Sequence, residues 1–362
     1  MAVDRLLRPL QLGSINLKNR VIMAPLTRNR AHPDGTPHEL AIEYYRQRAG
    51  AGLIISEATQ ISPIGKGYLN TPGIYDEKHV SAWKQVTDAV HREGGAIYLQ
   101  LWHVGRIGHN SLLPEGEKLI APSAIRANAK TFTATGFADV STPREIQLKE
   151  IPQVVEQYRI AAKNAKRAGF DGVEIHAANG YLLDQFLQSE TNRRTDEYGG
   201  NPLKRFRLLK EVVEAIGKEF SYNSIGVRLS PNGYVNDMSD WNPRDTFMTV
   251  YHELNKYGLA YLHIVELMPG AAVTEDQKQI IRDLRPMWTG TYIANGEFDA
   301  DKAETWIKEG RADAIAFGRP FISNPDLPER FRQGAPLNPA DPSTFYGGDY
   351  RGYTDYPFLN QG

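Results

Sequence analysis

Short apolar, β-branched runs recur along the chain and alternate with stretches whose apolar positions fall at helical spacing, a pattern that predicts a parallel sheet wound by helical crossovers. Eight runs stand at Arg20 to Ala24, Leu53 to Ser56, Ala96 to Leu101, Gly172 to His176, Ile225 to Leu229, Tyr261 to Val265, Thr291 to Ala294 and Ala314 to Phe317. Most are continuously apolar, as strands buried on both faces are. Helices are predicted over Glu77 to Glu93, Ile151 to Ala168, Pro202 to Glu219, Pro243 to Tyr257 and Ala300 to Glu309, with a weaker one near Gln277 to Leu284. Gly94, Gly169, Gly258 and Gly310 fall where a left-handed residue caps a helix. Eight such repeats close into an α/β fold, a TIM (β/α)8 barrel.

Two stretches lie outside the repeat. Leu10 to Leu17, turning at Gly13-Ser14, reads as an N-terminal hairpin that plugs the barrel floor. Residues 107–150, polar and rich in Pro and Thr, form a capping insertion after strand three, and long loops in compact domains are usually functional. No linker or low-complexity tract divides residues 1–362, which are therefore expected to form one domain. The tail after Gly334 is irregular and aromatic.

Composition narrows the chemistry. Lys and Arg number 42 against 43 Asp and Glu, a formal charge of -1 that gives no footprint for nucleic acid or an anionic membrane. The expected partners are small molecules, and the expected assembly is a monomer or homodimer. The absence of cysteine excludes disulfides, thiolate metal sites and cysteine-ligated iron–sulfur clusters, so redox chemistry would need an organic cofactor. With neither a signal-peptide core nor a membrane-length apolar run, the chain is expected to be cytoplasmic.

Active sites of this fold sit at the carboxyl ends of the strands, and those ends are polar here. Glycines after strands seven and eight mark the usual phosphate position, which makes Gly296, Gly318 and Arg319 candidate phosphate ligands. Three ordered motifs follow the strands: Ala24-Pro25-Leu26-Thr27, Gln100-Leu101-Trp102-His103-Val104-Gly105-Arg106 and Gly172-Val173-Glu174-Ile175-His176-Ala177-Ala178-Asn179-Gly180-Tyr181. They continue in Asn192-Arg193-Arg194-Thr195-Asp196-Glu197-Tyr198-Gly199-Gly200, Val227-Arg228-Leu229-Ser230-Pro231 and Ala316-Phe317-Gly318-Arg319-Pro320. This set, spanning essentially the whole chain, resembles the Old Yellow Enzyme family of flavoproteins, and within it the branch of the pentaerythritol tetranitrate and N-ethylmaleimide reductases.

The resemblance implies a tightly bound FMN, reduced by NAD(P)H, that passes hydride from N5 to the double bond of an electron-poor alkene in a ping-pong cycle through one pocket. It implies that Pro25, Leu26, Thr27, Ala58, Gln100, Arg228, Asn295, Gly296, Gly318 and Arg319 bind the cofactor. Thr27 stands where one subclass carries cysteine. The side-by-side donor and acceptor of Gln100 suit a pyrimidine edge. The permanent charge of Arg228 suits an anionic reduced flavin, although a structural ion pair with Glu57 or Glu174 would also occupy it. His176 and Asn179 form a donor pair for the substrate oxygen, Tyr181 is the proton donor, and Tyr68, Trp102 and Tyr346 are aromatic walls. No metal ligand is expected. The rival readings are a phosphate-binding lyase, which lacks a strand-end lysine, a hydrolase built on His103, His176 and His263, and a non-catalytic binding barrel.

Overall fold

The structure, a computed structural model, describes residues 3–268 and 273–359. Its eight barrel strands are β1 (Val21–Met23), β2 (Leu53–Ile55), β3 (Ile97–Trp102), β4 (Gly172–Ala177), β5 (Ile225–Leu229), β6 (Tyr261–Val265), β7 (Tyr292–Asn295) and β8 (Ala314–Phe317). All neighbours are parallel, and Ile315 pairing with Val21 closes the circle between β8 and β1. Every residue of the first six strands is buried, which is why they read as unbroken apolar runs.

The hairpin Leu10–Leu12 with Ile15–Leu17 does plug the floor: Leu12 and Leu17 pack with Ile22, Leu53, Ile55, Tyr98 and Tyr261 inside the barrel. Gly13 is required at its turn, because φ is 50° and a Cβ would lie 1.9 Å from the Asn223 carbonyl oxygen.

The outer helices are Leu40–Gln47, Glu77–Arg92, Ile151–Arg167, Leu182–Leu187, Pro202–Ile216, Pro243–Leu254, Glu275–Leu284, Ala300–Lys308, Arg319–Ser323 and Leu327–Gln333. All four capping glycines have positive φ, 67° at Gly94, 86° at Gly169, 62° at Gly258 and 71° at Gly310. The helix from Pro243 ends three residues before Tyr257 because its last turn tightens into a 3-10 turn over Asn255–Tyr257.

Residues 107–150 fold as short paired segments. Ile120–Ala121 pairs in parallel with Arg144–Glu145, and Lys130–Thr133 forms a hairpin with Gly136–Asp139. Leu119, Ala127 and Val140 pack against Ala58, Trp102 and Val104, so the insertion lies against the carboxyl ends of β2 and β3.

Candidate active site

Five consecutive strands each send one polar side chain into a buried belt. Gln100 on β3 donates through Nε2 to Glu174 Oε1 on β4 (2.7 Å), and Glu174 Oε2 lies 2.8 Å from His263 Nδ1 on β6. His263 Nε2 lies 2.6 Å from Nη1 of Arg228 on β5, whose Nη2 donates to Asn295 Oδ1 on β7 (2.8 Å). Burial, then the Arg228 charge, pushes His263 down to about 4. The neutral ring therefore donates from Nδ1 to Glu174 and accepts at Nε2 from Arg228. Burial opposes the Glu174 charge, but His263, Arg228 and Gln100 outweigh it and hold the carboxyl below its ordinary value.

Arg228 thus has a neutral imidazole and a carboxamide as partners. It forms no ion pair among the described residues, with Glu57 and Glu174 included, and its buried Nε has no partner. A buried guanidinium so arranged retains a free donor for an incoming group, while Glu174, reached through His263, offsets part of its charge.

Beyond β4 the chain turns through the left-handed residues Asn179 (φ 58°) and Gly180 (φ 78°). His176 is buried, and burial followed by the charge of Arg228 pushes it well below its ordinary value, so it is neutral. Its Nδ1 accepts the Ala178 N–H at 3.4 Å, which leaves the proton on Nε2. The Asn179 Oδ1 is buried without a partner. Rotating that carboxamide exchanges its oxygen and nitrogen, so either a donor or an acceptor can be presented there.

Tyr181 begins the short helix Leu182–Leu187 and stands edge-on to both His176 and Trp102, at 5.0 and 5.1 Å between ring centroids. Tyr68 stacks on Trp102 at 5.7 Å. The structure therefore brings His176, Asn179, Tyr181, Tyr68 and Trp102 together at one edge of the barrel mouth.

Pro25, Leu26 and Thr27 are half-buried at the end of β1, and Ala58 is buried beyond β2. At the ends of β7 and β8, a Cβ on Gly296 or Gly318 would find no atom nearer than 3.5 Å, so backbone is open to a ligand at both positions. Arg319 is exposed and has no ion pair among the described residues. Tyr346 is 69 % exposed and lines a cavity of about 660 Å3 with Arg30, Thr344 and Tyr356, outside the Trp102 cluster.

Among the described residues, the metal-ligating side chains that converge are His32, His38 and Glu39 on the loop after β1. The strand-end histidines His103, His176 and His263 do not form such a group.

A sequence profile of the NADH:flavin oxidoreductase / NADH oxidase family matches residues 5–338. The chain belongs to this family. The rice (Oryza sativa subsp. japonica) protein 12-oxophytodienoate reductase 1 is 45 % identical over 98 % of the chain and 93 % of its own length. Morphinone reductase superposes with a TM-score of 0.94 at 48 % identity, covering 100 % of this chain and 99 % of that one. A structure of morphinone reductase in complex with tetrahydroNAD gives 0.92 at 49 % identity, covering 99 % and 98 %.

As a member of the Old Yellow Enzyme family, the protein is an FMN-dependent oxidoreductase with a nicotinamide reductant, built on that family's barrel. The orphaned Arg228 Nε, the open backbone at Gly296 and Gly318 and the unpaired Arg319 all fit a group with one polar ring edge and a phosphate tail.

Several connections around this site carry no motif signal of their own. Glu174 and His263 are placed by cross-strand register, Glu174 opposite Gln100 and His263 opposite Arg228. Arg28 and Arg30 tie the tail to the end of β1: Arg28 donates to the carbonyls of Phe345 (2.9 Å) and Gly352 (2.7 Å), and Arg30 to those of Thr344 (3.0 Å) and Asp349 (2.9 Å). Arg28 and Arg30 also lie over the Tyr353 ring, at 5.1 and 4.6 Å. A periodicity argument sees only two arginines near an apolar strand, whereas the partners lie some three hundred residues away.

Proposed function

We propose that the protein is an NAD(P)H-dependent ene-reductase for electron-poor alkenes such as α,β-unsaturated carbonyls, maleimides and nitroalkenes, working as a cytoplasmic monomer or homodimer. The observation that carries the reading is the meeting of the neutral His176 ring with the Tyr181 phenol at the mouth, with the buried, unpartnered Oδ1 of Asn179 on the turn between them. Two relatives, a 12-oxophytodienoate reductase and a morphinone reductase, are named for oxo compounds, which supports this substrate class. No described helix is long and apolar enough to cross a membrane.

Bound FMN would take hydride from NAD(P)H and supply it at N5. Gln100, Arg228 and Asn295 would hold its pyrimidine side, Pro25, Leu26, Thr27 and Ala58 would line the ring, and Gly296, Gly318 and Arg319 would hold the phosphate. The capping insertion over residues 107–150 would shield the pocket behind Trp102.

The Nε2–H of His176 and the amide of Asn179 would grip the carbonyl or nitro oxygen of the substrate. As negative charge develops there, both hydrogen bonds strengthen, and a donor so placed contributes about 3–4 kcal/mol to lowering the barrier. Tyr181 is held above its ordinary phenol value by burial, so at neutral pH it carries the proton that the α-carbon needs. The Tyr68 hydroxyl, 3.0 Å away, would stabilise the phenolate left behind. Trp102 and Tyr68 would exclude water from one side and Tyr346 would close the outer side.

Purified protein should carry FMN in equimolar amount; NAD(P)H alone should reduce that FMN once under anaerobic conditions, and NAD(P)H consumption should continue only when an enone such as 2-cyclohexenone is added. Colourless protein that does not take up FMN, or reduced protein that no enone reoxidises, would contradict the proposal.

A further inference from the structure

We propose that Asp184 and Ser230 are positioning residues that lock the Asn179 carboxamide in place, an inference that rests on the reading of Asn179 as a grip on the substrate oxygen. Asn179 and Gly180 are consecutive left-handed residues, a conformation open to asparagine and glycine. Both of their N–H groups are held. The Asn179 N–H donates to Ser230 Oγ at 2.8 Å, and the Gly180 N–H donates to Asp184 Oδ2 at 2.8 Å.

The two acceptors are themselves joined, with Ser230 Oγ 3.5 Å from the same Asp184 Oδ2. The hydroxyl can therefore accept from Asn179 while donating to Asp184, which closes a ring of hydrogen bonds around the turn. Gln188 Nε2 donates to the other oxygen, Asp184 Oδ1, at 2.8 Å and fixes the carboxylate plane. On the opposite side Asn236 Nδ2 donates to the Asn179 carbonyl at 2.8 Å.

Asp184 and Ser230 are fully buried, and Asp184 has no ion pair among the described residues. Burial pushes the Asp184 carboxyl up to about 7 against the hydrogen bonds of Gln188, Gly180 and Ser230, and keeping such a group buried is costly unless those bonds satisfy it. Here Oδ2 is bound by the Gly180 N–H of the turn and by Ser230, Oδ1 is bound by Gln188, and none of these bonds comes from a cation. Gly180 has no space to relax into, since a Cβ there would lie 2.8 Å from both Asn236 Cβ and Met238 Cγ. The turn is thus packed on one side and tied by Asp184 and Ser230 on the other, which fixes the direction in which the Asn179 side chain leaves the chain.

The test is a double-mutant cycle on FMN-loaded protein, read as the affinity for 4-chlorophenol from the long-wavelength absorption band that a phenolate stacked on flavin should produce. Ser230→Ala should weaken binding about tenfold, the expected effect of leaving one buried donor unsatisfied. Asn179→Ala should weaken it as well, and in the Asn179→Ala background Ser230→Ala should add no further loss. Asp184→Asn, which keeps an acceptor for Gly180, should retain more affinity than Asp184→Ala. If Ser230→Ala leaves the affinity unchanged, or its effect adds in full to that of Asn179→Ala, the positioning role is overturned. If Asn179→Ala itself changes nothing, the reading of Asn179 falls and the positioning role falls with it.

Discussion

The hydroxyls of Tyr68 and Tyr181 lie 3.0 Å apart, joining the loop after β2 to the first residue before the helix Leu182–Leu187. Either oxygen can donate, but if Tyr181 gives its proton to substrate, Tyr68 must turn its own proton toward the phenolate that forms. Tyr68→Phe should then slow reoxidation of the reduced protein by an enone about fivefold, the worth of roughly 1 kcal/mol for one hydrogen bond. Reduction by NAD(P)H should change less. Stopped-flow absorbance in the two half-reactions checks this, and equal slowing of both would assign Tyr68 to ligand binding alone.

The proposed role of Arg319 at the cofactor phosphate can be tested apart from the ring end. It is exposed, unpaired among the described residues and adjacent to the open backbone at Gly318. Arg319→Ala should weaken FMN binding to apoprotein by about tenfold, the loss of one charge-assisted hydrogen bond. Riboflavin, which lacks the phosphate, should bind the variant and the parent equally. Quenching of flavin fluorescence measures both, and a loss shared by riboflavin would move Arg319 away from the phosphate.

The pH dependence of ligand binding follows from the direction of the His176 shift. Burial and Arg228 hold its folded value well below 6.5, so the ring is neutral, with its proton on Nε2, near and above pH 6.5. A neutral donor does not change in this window. Phenol affinity should therefore follow the ionisation of the phenol itself, with no inflection near 6.5 that His176→Gln removes. Such an inflection would mean that His176 titrates and that the oxygen is gripped by an imidazolium.

The barrel was legible in the sequence because parallel strands are buried on both faces, so β1 to β8 appear as apolar runs with bounds within one residue of those found at most ends. The glycine caps were legible because only a left-handed residue ends those helices well. The helix Leu40–Gln47 was missed. Its buried face is Ala41, Tyr44 and Tyr45, which reads as polar, and Arg48 at its end stacks over Tyr44 at 3.9 Å. The candidate residues themselves were found through family motifs, but their connections were not, since Gln100 to Glu174, Arg228 to His263 and Asn179 to Ser230 each join residues distant in sequence. Tyr346 is the clearest case: an aromatic tail residue suggested a wall, yet whether it covers ligand or solvent depends on how Arg28 and Arg30 hold its segment.

The most direct test of the account compares parent and Tyr181→Phe protein by anaerobic rapid mixing, following flavin absorbance first with NAD(P)H and then with 2-cyclohexenone. The reductive step requires no proton from Tyr181, and the variant should be reduced at close to the parental rate. The oxidative step does require it, and losing a placed general acid should slow reoxidation by about 10²–10⁴-fold. Reoxidation of the variant at the parental rate would contradict the account, leaving Tyr181 as a wall of the pocket and the proton to be supplied by another donor.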